Sequence, residues 1–396
     1  MAALTGIRIL ELARVPPAEL PGMLLSDLGA DVLKVETPLA RPLSDEDRRR
    51  AVFSAVNRNK RSLALNLKTP DGQAIFLKLA RAADVIVEGF RPGVMRRLGA
   101  DYDAIRALNP RIVYCSLSGF GQTGPYRHVP AHDLNYLALS GILSLIGEAG
   151  RTPQIPLNLV ADYGGASLHG ALGIMVALFA RERSGRGQHV DVSYLDASIS
   201  LLGATPNMRG FWSDDAPPAR GAGFLSGTFP YYAVYETKDA RYITIACYEP
   251  VFWERFCAAI ERPDLARFAF RDEHAVRAPT PEETAARADV QRLIATRTRD
   301  EWWRLLTDAG TCVAPVYDPA EAFADPQVRA RGMVVSLQHP EHGEIHQTGT
   351  AIKLSETADG ATSPAPVPGE HTDGVLTELG FSREEIAALR ARGVCG

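Results

Sequence analysis

Three short segments of this 396-residue chain carry side chains suited to moving protons. GFGQTGPYRHVPAHDLNY (119–136) is a Gly/Pro-rich loop that delivers His132 and Asp133 to the start of a helix. NLVADYGGAS (158–167) closes an apolar stretch on Asp162 and follows it with two glycines. ACYEPVFW (246–253) interrupts an apolar and aromatic run with Glu249, just before Pro250. A carboxyl at the mouth of such a segment loses solvation on folding, and its pKa moves toward the range a general acid or base needs. Each group has a structural alternative. Asp162 could be the N-cap of a helix expected over 166–182, and His132 a hydrogen-bonded residue at a loop–helix junction. Spacing along the chain does not bring these groups together, so the fold must.

Other motifs point less far. Gly119-x-Gly121-x-x-Gly124 matches a dinucleotide fingerprint as text and follows an apolar strand. Pro125 and Tyr126 come next instead of a helix, and no acidic residue ends a second strand about 20 positions on, so a tight loop is the reading. His339, His342 and His346 have spacing that could suit a metal, but HPEHGE reads as a hairpin turn and no Cys completes a set, so no metal is expected. The run Asp45-Glu46-Asp47-Arg48-Arg49-Arg50 reads as a solvated loop whose acids offset its arginines, and Asp214, Asp215 and Arg220 read as solvated loop residues.

The elements that must position these groups follow from composition and pattern. The chain is 46% hydrophobic and 23% charged, a globular composition, and its length suggests two domains. With 43 Lys+Arg against 47 Asp+Glu the net charge is −4, so an anionic partner must be held by a few local cations and nucleic acid is not expected. No uninterrupted run of 18 apolar residues suggests a membrane span, and the first fifteen residues lack a basic leader. The five cysteines are scattered and never C-x-x-C, which fits a reducing, cytoplasmic location.

Residues 7–12, 31–36, 62–67, 84–90 and 111–119 read as strands, with a helix over 21–29 and another opened by Thr69 and Pro70. Strands apolar on both faces and alternating with helices predict an α/β, Rossmann-like parallel sheet. Helical spacing recurs over 134–146 and 166–182. Past residue 225 the texture becomes α+β, with a hairpin over 230–248 turning at Lys238–Ala240 and capping boxes at Thr280/Glu283, Thr298/Glu301 and Ser382/Glu385. We therefore place a large domain over 1–200, a smaller α+β domain over 225–330, and a segment over 331–396 that returns to the large domain. That last segment carries a hairpin, a Pro/Ser/Thr-rich arm (355–369) and a final helix.

LSDLGADVLKVETP (25–38), NRNKRSLALNLKTPDGQ (57–73), VEGFRPGVMRRLG (87–99), SLSGFGQTGP (116–125) and SGRGQHVDVSYLDAS (184–198) together resemble the family III CoA-transferases, the CaiB/BaiF family. Within it, AHDLNY (131–136), NLVADYGG (158–165) and PYYAVYETKD…ACYEP (230–250) are similar to the α-methylacyl-CoA racemase branch. The resemblance implies an interlocked homodimer and an acyl-CoA substrate, with no cofactor beyond the substrate's own CoA and no membrane partner. It implies that Leu65, Asn66, Leu67, Lys68, Gly89, Phe90, Arg91 and Arg97 hold CoA, along with Ala131, Asp133, Leu134, Asn135 and Tyr136. It also implies that His132 and Asp162 are the two bases of an α-proton exchange oriented by Glu249, with N–H groups of the glycines after Asp162 on the enolate oxygen. In the transferases of the family the matching aspartate is instead a nucleophile that forms an aspartyl-CoA thioester. Such enzymes carry a mobile glycine-rich loop, whereas GAGFLSGTFP (221–230) has three glycines and no glycine run. Where relatives place Arg before the proline of KVExP this chain has Thr37, and Arg41 and Lys60 are the candidates to replace it.

Overall fold

The computed structural model describes residues 1–205, 208, 211–212, 218–271, 277–357 and 360–396. Asp214 and Asp215 lie outside the described residues. The chain divides into two compact units, one of Met1–Tyr136, Asn158–Ser198 and Phe323–Gly396, the other of Leu137–Leu157 and Ile199–Ala322. The expected 1–200 block is thus interrupted. The helix expected over 134–146 stops after Asp133–Leu139, because Gly141 takes a left-handed conformation (φ 86°), and Ile142–Leu145 starts afresh.

The first unit is built on a six-stranded, all-parallel sheet in the order β3-β2-β1-β4-β5-β6. Its strands are β1 (Arg8–Leu12), β2 (Asp31–Glu36), β3 (Lys60–Ala64), β4 (Val85–Glu88), β5 (Val113–Ser118) and β6 (His189–Ser193). Every residue of β4 and β5 is buried, as expected of strands covered by helices on both faces. The α/β Rossmann-like fold class is as read from the sequence. Strand β6 escapes that reading because HVDVS alternates polar and apolar residues instead of running apolar.

Helix α1 (Pro16–Asp27) starts earlier than expected, with prolines at its first positions where no N–H is needed, and it contains Pro21. Pro21 has no N–H to give the carbonyl of Pro17. That oxygen instead accepts the hydroxyl of the fully buried Ser167 at 2.5 Å. Asp45–Val52 is a helix rather than a loop, since Ser44 and Asp47 form a capping box. The three capping boxes read from the sequence are present.

The hairpin β10 (Val334–His339) and β11 (Gly343–Thr348) and the chain after it return to the first unit. This arm lies along β3. Arg58 is paired with Asp27 at 2.6 Å, and Thr350 also donates to Asp27. Asn59 donates to Gly360 O, and His371 N–H to Ser62 O. The edge strand is thereby covered. His339 Nδ1 accepts N–H groups of its own turn and His346 bonds Ser336.

The second unit carries an antiparallel sheet of β7 (Tyr232–Glu236), β8 (Tyr242–Ala246) and β9 (Val313–Pro315). Its core gathers Tyr235, Trp253, Phe256, Val290, Trp302 and Leu306. Arg220, expected in solvent, is half-buried with its side chain beside Gly147.

Candidate active site

In a parallel sheet of this order the chain reverses direction between β1 and β4, and the crevice outside the strand ends at that point is where ligands bind. A cavity of about 480 Å³ opens there. Its walls come from Val15 and Pro17 after β1, Gly89–Pro92 after β4, Leu117–Phe120 at the end of β5, and the loop from Arg127 to His132. Asn135, Tyr136, Asp162 and Tyr194 complete it. Gly89 is required for closeness: a Cβ there would fall 2.6 Å from Ala18 Cβ.

His132 and Asp162 line this one cavity from different elements. His132 is exposed just ahead of the helix Asp133–Leu139, and its N–H donates to Asn135 Oδ1 at 3.0 Å. Asp162 is not an N-cap. It sits inside a π-helical turn, Leu159–Ser167, that runs into the helix α2 (Leu168–Ser184). Such wide turns are rare and are concentrated at functional sites. Gly164 and Gly165 lie inside the turn, and a Cβ on either would fall 2.9 Å from the carbonyl five residues earlier. Both glycines are thus packed tightly within the turn.

The Asp133 carboxylate faces the same turn. Its Oδ1 accepts the N–H of Ala161 at 3.1 Å and of Asp162 at 2.9 Å. Asp133 thus braces the backbone of the turn through Oδ1. Burial raises the pKa of Asp162, the amide of Asn158 donating to Oδ2 at 3.2 Å holds it down, Asp133 adds to the rise, and His132 opposes it. Burial likewise raises Asp133. Tyr136 donates to Ala131 O at 2.8 Å and stacks on Tyr194, and burial pushes its phenol up to about 12. It serves here as wall, not as acid.

Gly89, Phe90, Arg91, Ala131, Asn135 and Tyr136 all line the cavity, while Leu134 is exposed on the helix after it. Arg97 is exposed in the short helix Val94–Arg97. Leu65–Lys68 lie at the end of β3, away from the cavity walls. Leu65 is buried in a bridge to Cys395, Asn66 bonds Gly393 O and the Lys68 N–H, and Lys68 is exposed. Glu249 belongs to the second unit, at the N-cap of Pro250–Ala259, where its side chain makes no capping bond. Arg127, Tyr194 and Asn158 were missed from the sequence. Only Asn158 left a signal, a polar residue one helical turn before Asp162.

A second, polar cavity of about 390 Å³ shares Arg91, Pro92 and Arg127 with the first. On its floor Glu88 is buried and accepts Phe90 N–H at 2.8 Å, and Ser116 bonds His189 at 3.0 Å. Burial lifts Glu88 to about 7 against its hydrogen bonds from Ser116 and Phe90.

A Rossmann-like crevice carrying an imidazole and a desolvated carboxyl at its switch point defines an enzyme of acid–base or acyl chemistry on a ligand held by the strand ends. Comparison makes this specific. Residues 4–372 match the model of CoA-transferase family III, and the chain belongs to that family. It is 36% identical over 394 residues to the alpha-methylacyl-CoA racemase of Homo sapiens, covering 98% of this chain and 96% of that one. It is 35% identical over 396 residues to the succinate–glutarate CoA-transferase of Agrobacterium fabrum, covering 95% of each. A CAIB/BAIF family protein from Brucella suis superposes with a TM-score of 0.80 at 29% identity, over 96% of this chain and 99% of that one.

Proposed function

We propose that this enzyme interconverts (R)- and (S)-2-methylacyl-CoA thioesters by removing and returning the α-proton through an enolate. The observation that carries the reading is that His132 and Asp162 reach one cavity from separate elements. Inversion at a carbon needs a base on one face and an acid on the other, and two such groups in one crevice meet that need. The thioester acidifies the α-carbon. One of the pair takes the proton, and the other, holding a proton, delivers it to the opposite face. The raised proton affinity of Asp162 brings its carboxyl closer to neutral pH, where it can serve in either direction. The positive end of the helix that begins at Leu159 favours the charge developing on the enolate oxygen.

In this reading Gly89, Phe90, Arg91 and Arg97, with the Leu65–Lys68 segment, hold the CoA, and no other cofactor takes part. A homodimer is part of the proposal. The 26-residue helix Leu159–Ser184 has the length and apolarity of a membrane span by composition alone, which an absence of uninterrupted apolar runs did not suggest. Its exposed stripe of Leu168, Leu172, Val176 and Phe179 is suited to a second copy of the chain. The same helix packs on β5, β6 and α1 and carries Asp162 in its first turn, which favours a protein partner over lipid.

The second reading, CoA transfer through a thioester on Asp162, is favoured by relatives such as the Agrobacterium enzyme. Replacing His132 by Ala separates the two. Exchange of the α-proton should disappear while any CoA transfer survives. Loss of both, or of neither, overturns the role given to His132.

A further inference from the structure

Of the two candidates for the arginine absent at position 37, Lys60 is not free to act and Arg41 pairs with Asp47. Lys60 is fully buried, with Nζ on both Glu11 oxygens at 2.7 and 2.9 Å, on Glu19 O at 2.8 Å and on Asn57 Oδ1 at 3.1 Å. That ammonium has no N–H left to offer and no path to a ligand. Arg41 is exposed beside Asp47 at 3.7 Å, on the loop before its helix.

The cation that stands at position 37 comes from another strand. Arg14 follows β1, and its Nη2 donates to Thr37 Oγ1, just past the end of β2, at 2.6 Å. Its guanidinium lies over the ring of Phe90, just past the end of β4, 5.7 Å from the centroid. β1 lies between β2 and β4 in the sheet, so Arg14 sits over the middle of the strand ends. Its neighbour Val15 and its partner Phe90 both line the 480 Å³ cavity. One hydroxyl occupies only one of the five N–H donors of a guanidinium, and the side chain is exposed. The contact with Phe90 and Thr37 holds the planar group in place at the mouth of the crevice. A second arginine at 37 would meet it as a like charge, which accounts for the small hydroxyl residue there.

Resting on the CoA reading above, we infer that Arg14 grips the phosphate-bearing end of CoA, doing from the end of β1 what the missing arginine at 37 would do from the end of β2. A planar fork held on an aromatic face at the switch point matches phosphate oxygens. It also supplies a local cation that a chain of net charge −4 needs for a polyanionic ligand.

The test is the affinity of CoA, 3′-dephospho-CoA and pantetheine for the wild-type protein, for Arg14→Ala and for Arg14→Ala/Thr37→Arg, by calorimetry. Loss of a charge-assisted phosphate contact should weaken CoA about tenfold to a hundredfold in Arg14→Ala and leave pantetheine unchanged. The double variant should regain most of the loss. If dephospho-CoA suffers the same loss, the contact is to the diphosphate; if it escapes, the contact is to the 3′-phosphate, and both results support the assignment. Unchanged CoA affinity in Arg14→Ala, or an equal loss for pantetheine, overturns it. A wild-type protein that binds no CoA at all would defeat the CoA reading itself, a result distinct from the failure of Arg14.

Discussion

Asp133 offers the sharpest perturbation of the site. Its carboxylate accepts two backbone N–H groups, and that of Ala161 is fully buried. Hydrogen bonds to a charged acceptor contribute about 1.5–3 kcal/mol each. The cavity lets water reach the Asp162 side, so the lower figure applies and Asp133→Ala should cost about 3 kcal/mol. Asn keeps the oxygen that accepts both bonds and should cost about 1 kcal/mol. The charge has a separate effect. Asp133 is one of the groups that raise Asp162, so removing its charge should lower the pKa of that base. A lower pKa keeps the base ionised to lower pH, and the acid limb of kcat/KM should move down in Asp133→Asn. Guanidinium midpoints at constant m-value give the stabilities, and exchange rates from pH 4 to 9 give the limb. A stable Asp133→Ala protein, or an acid limb unmoved in Asp133→Asn, would refute the reasoning.

Further outcomes follow from buried groups near the site. Glu88 is raised from its ordinary 4.5 to about 7, so the folded protein holds a proton that the unfolded chain releases. The stability linked to it is full below pH 4.5 and is lost as pH rises through 7. Glu88→Gln should therefore change little at pH 4.5 and gain up to about 3 kcal/mol relative to wild type at pH 8, read by denaturant unfolding at both. Ser167→Ala leaves the Pro17 carbonyl without its donor and should cost about 1–3 kcal/mol, read by denaturant unfolding. Gly22→Ala would put a methyl 1.9 Å from the buried Glu11 carboxylate and should lower the melting temperature more than Ser167→Ala does.

Much of this was readable in the residues because strands buried on both faces leave near-continuous apolar runs, as DVIVEGF and RIVYCSLSG do. Capping boxes are local and survive tertiary context, so helix starts at Thr280, Thr298 and Ser382 were legible. The prolines of α1 hid its first turn, because the donor that rescues its spare carbonyl lies 150 residues away at Ser167. Nothing local in NRNKRS shows that Lys60 and Arg58 are buried, each paired with an acid from a distant element. The two glycines after Asp162 gave no local sign of a wide helical turn, yet their missing Cβ atoms are what let it close around that aspartate. That His132 and Asp162 share a cavity depends on strand order, which no local pattern encodes. The arginine at 14 had no signal at all, since its partner Thr37 lies 23 residues on and was notable only as a departure.

The central claim is tested most directly by incubating the protein with one epimer of a 2-methylacyl-CoA in D2O, without any acceptor acid, and following the α-carbon by mass spectrometry. One deuterium per molecule, accompanied by loss of optical purity and abolished in Asp162→Asn and His132→Ala, is the result predicted. No incorporation across several branched acyl groups, together with a covalent CoA adduct on Asp162 once a carboxylate acceptor is added, would contradict it.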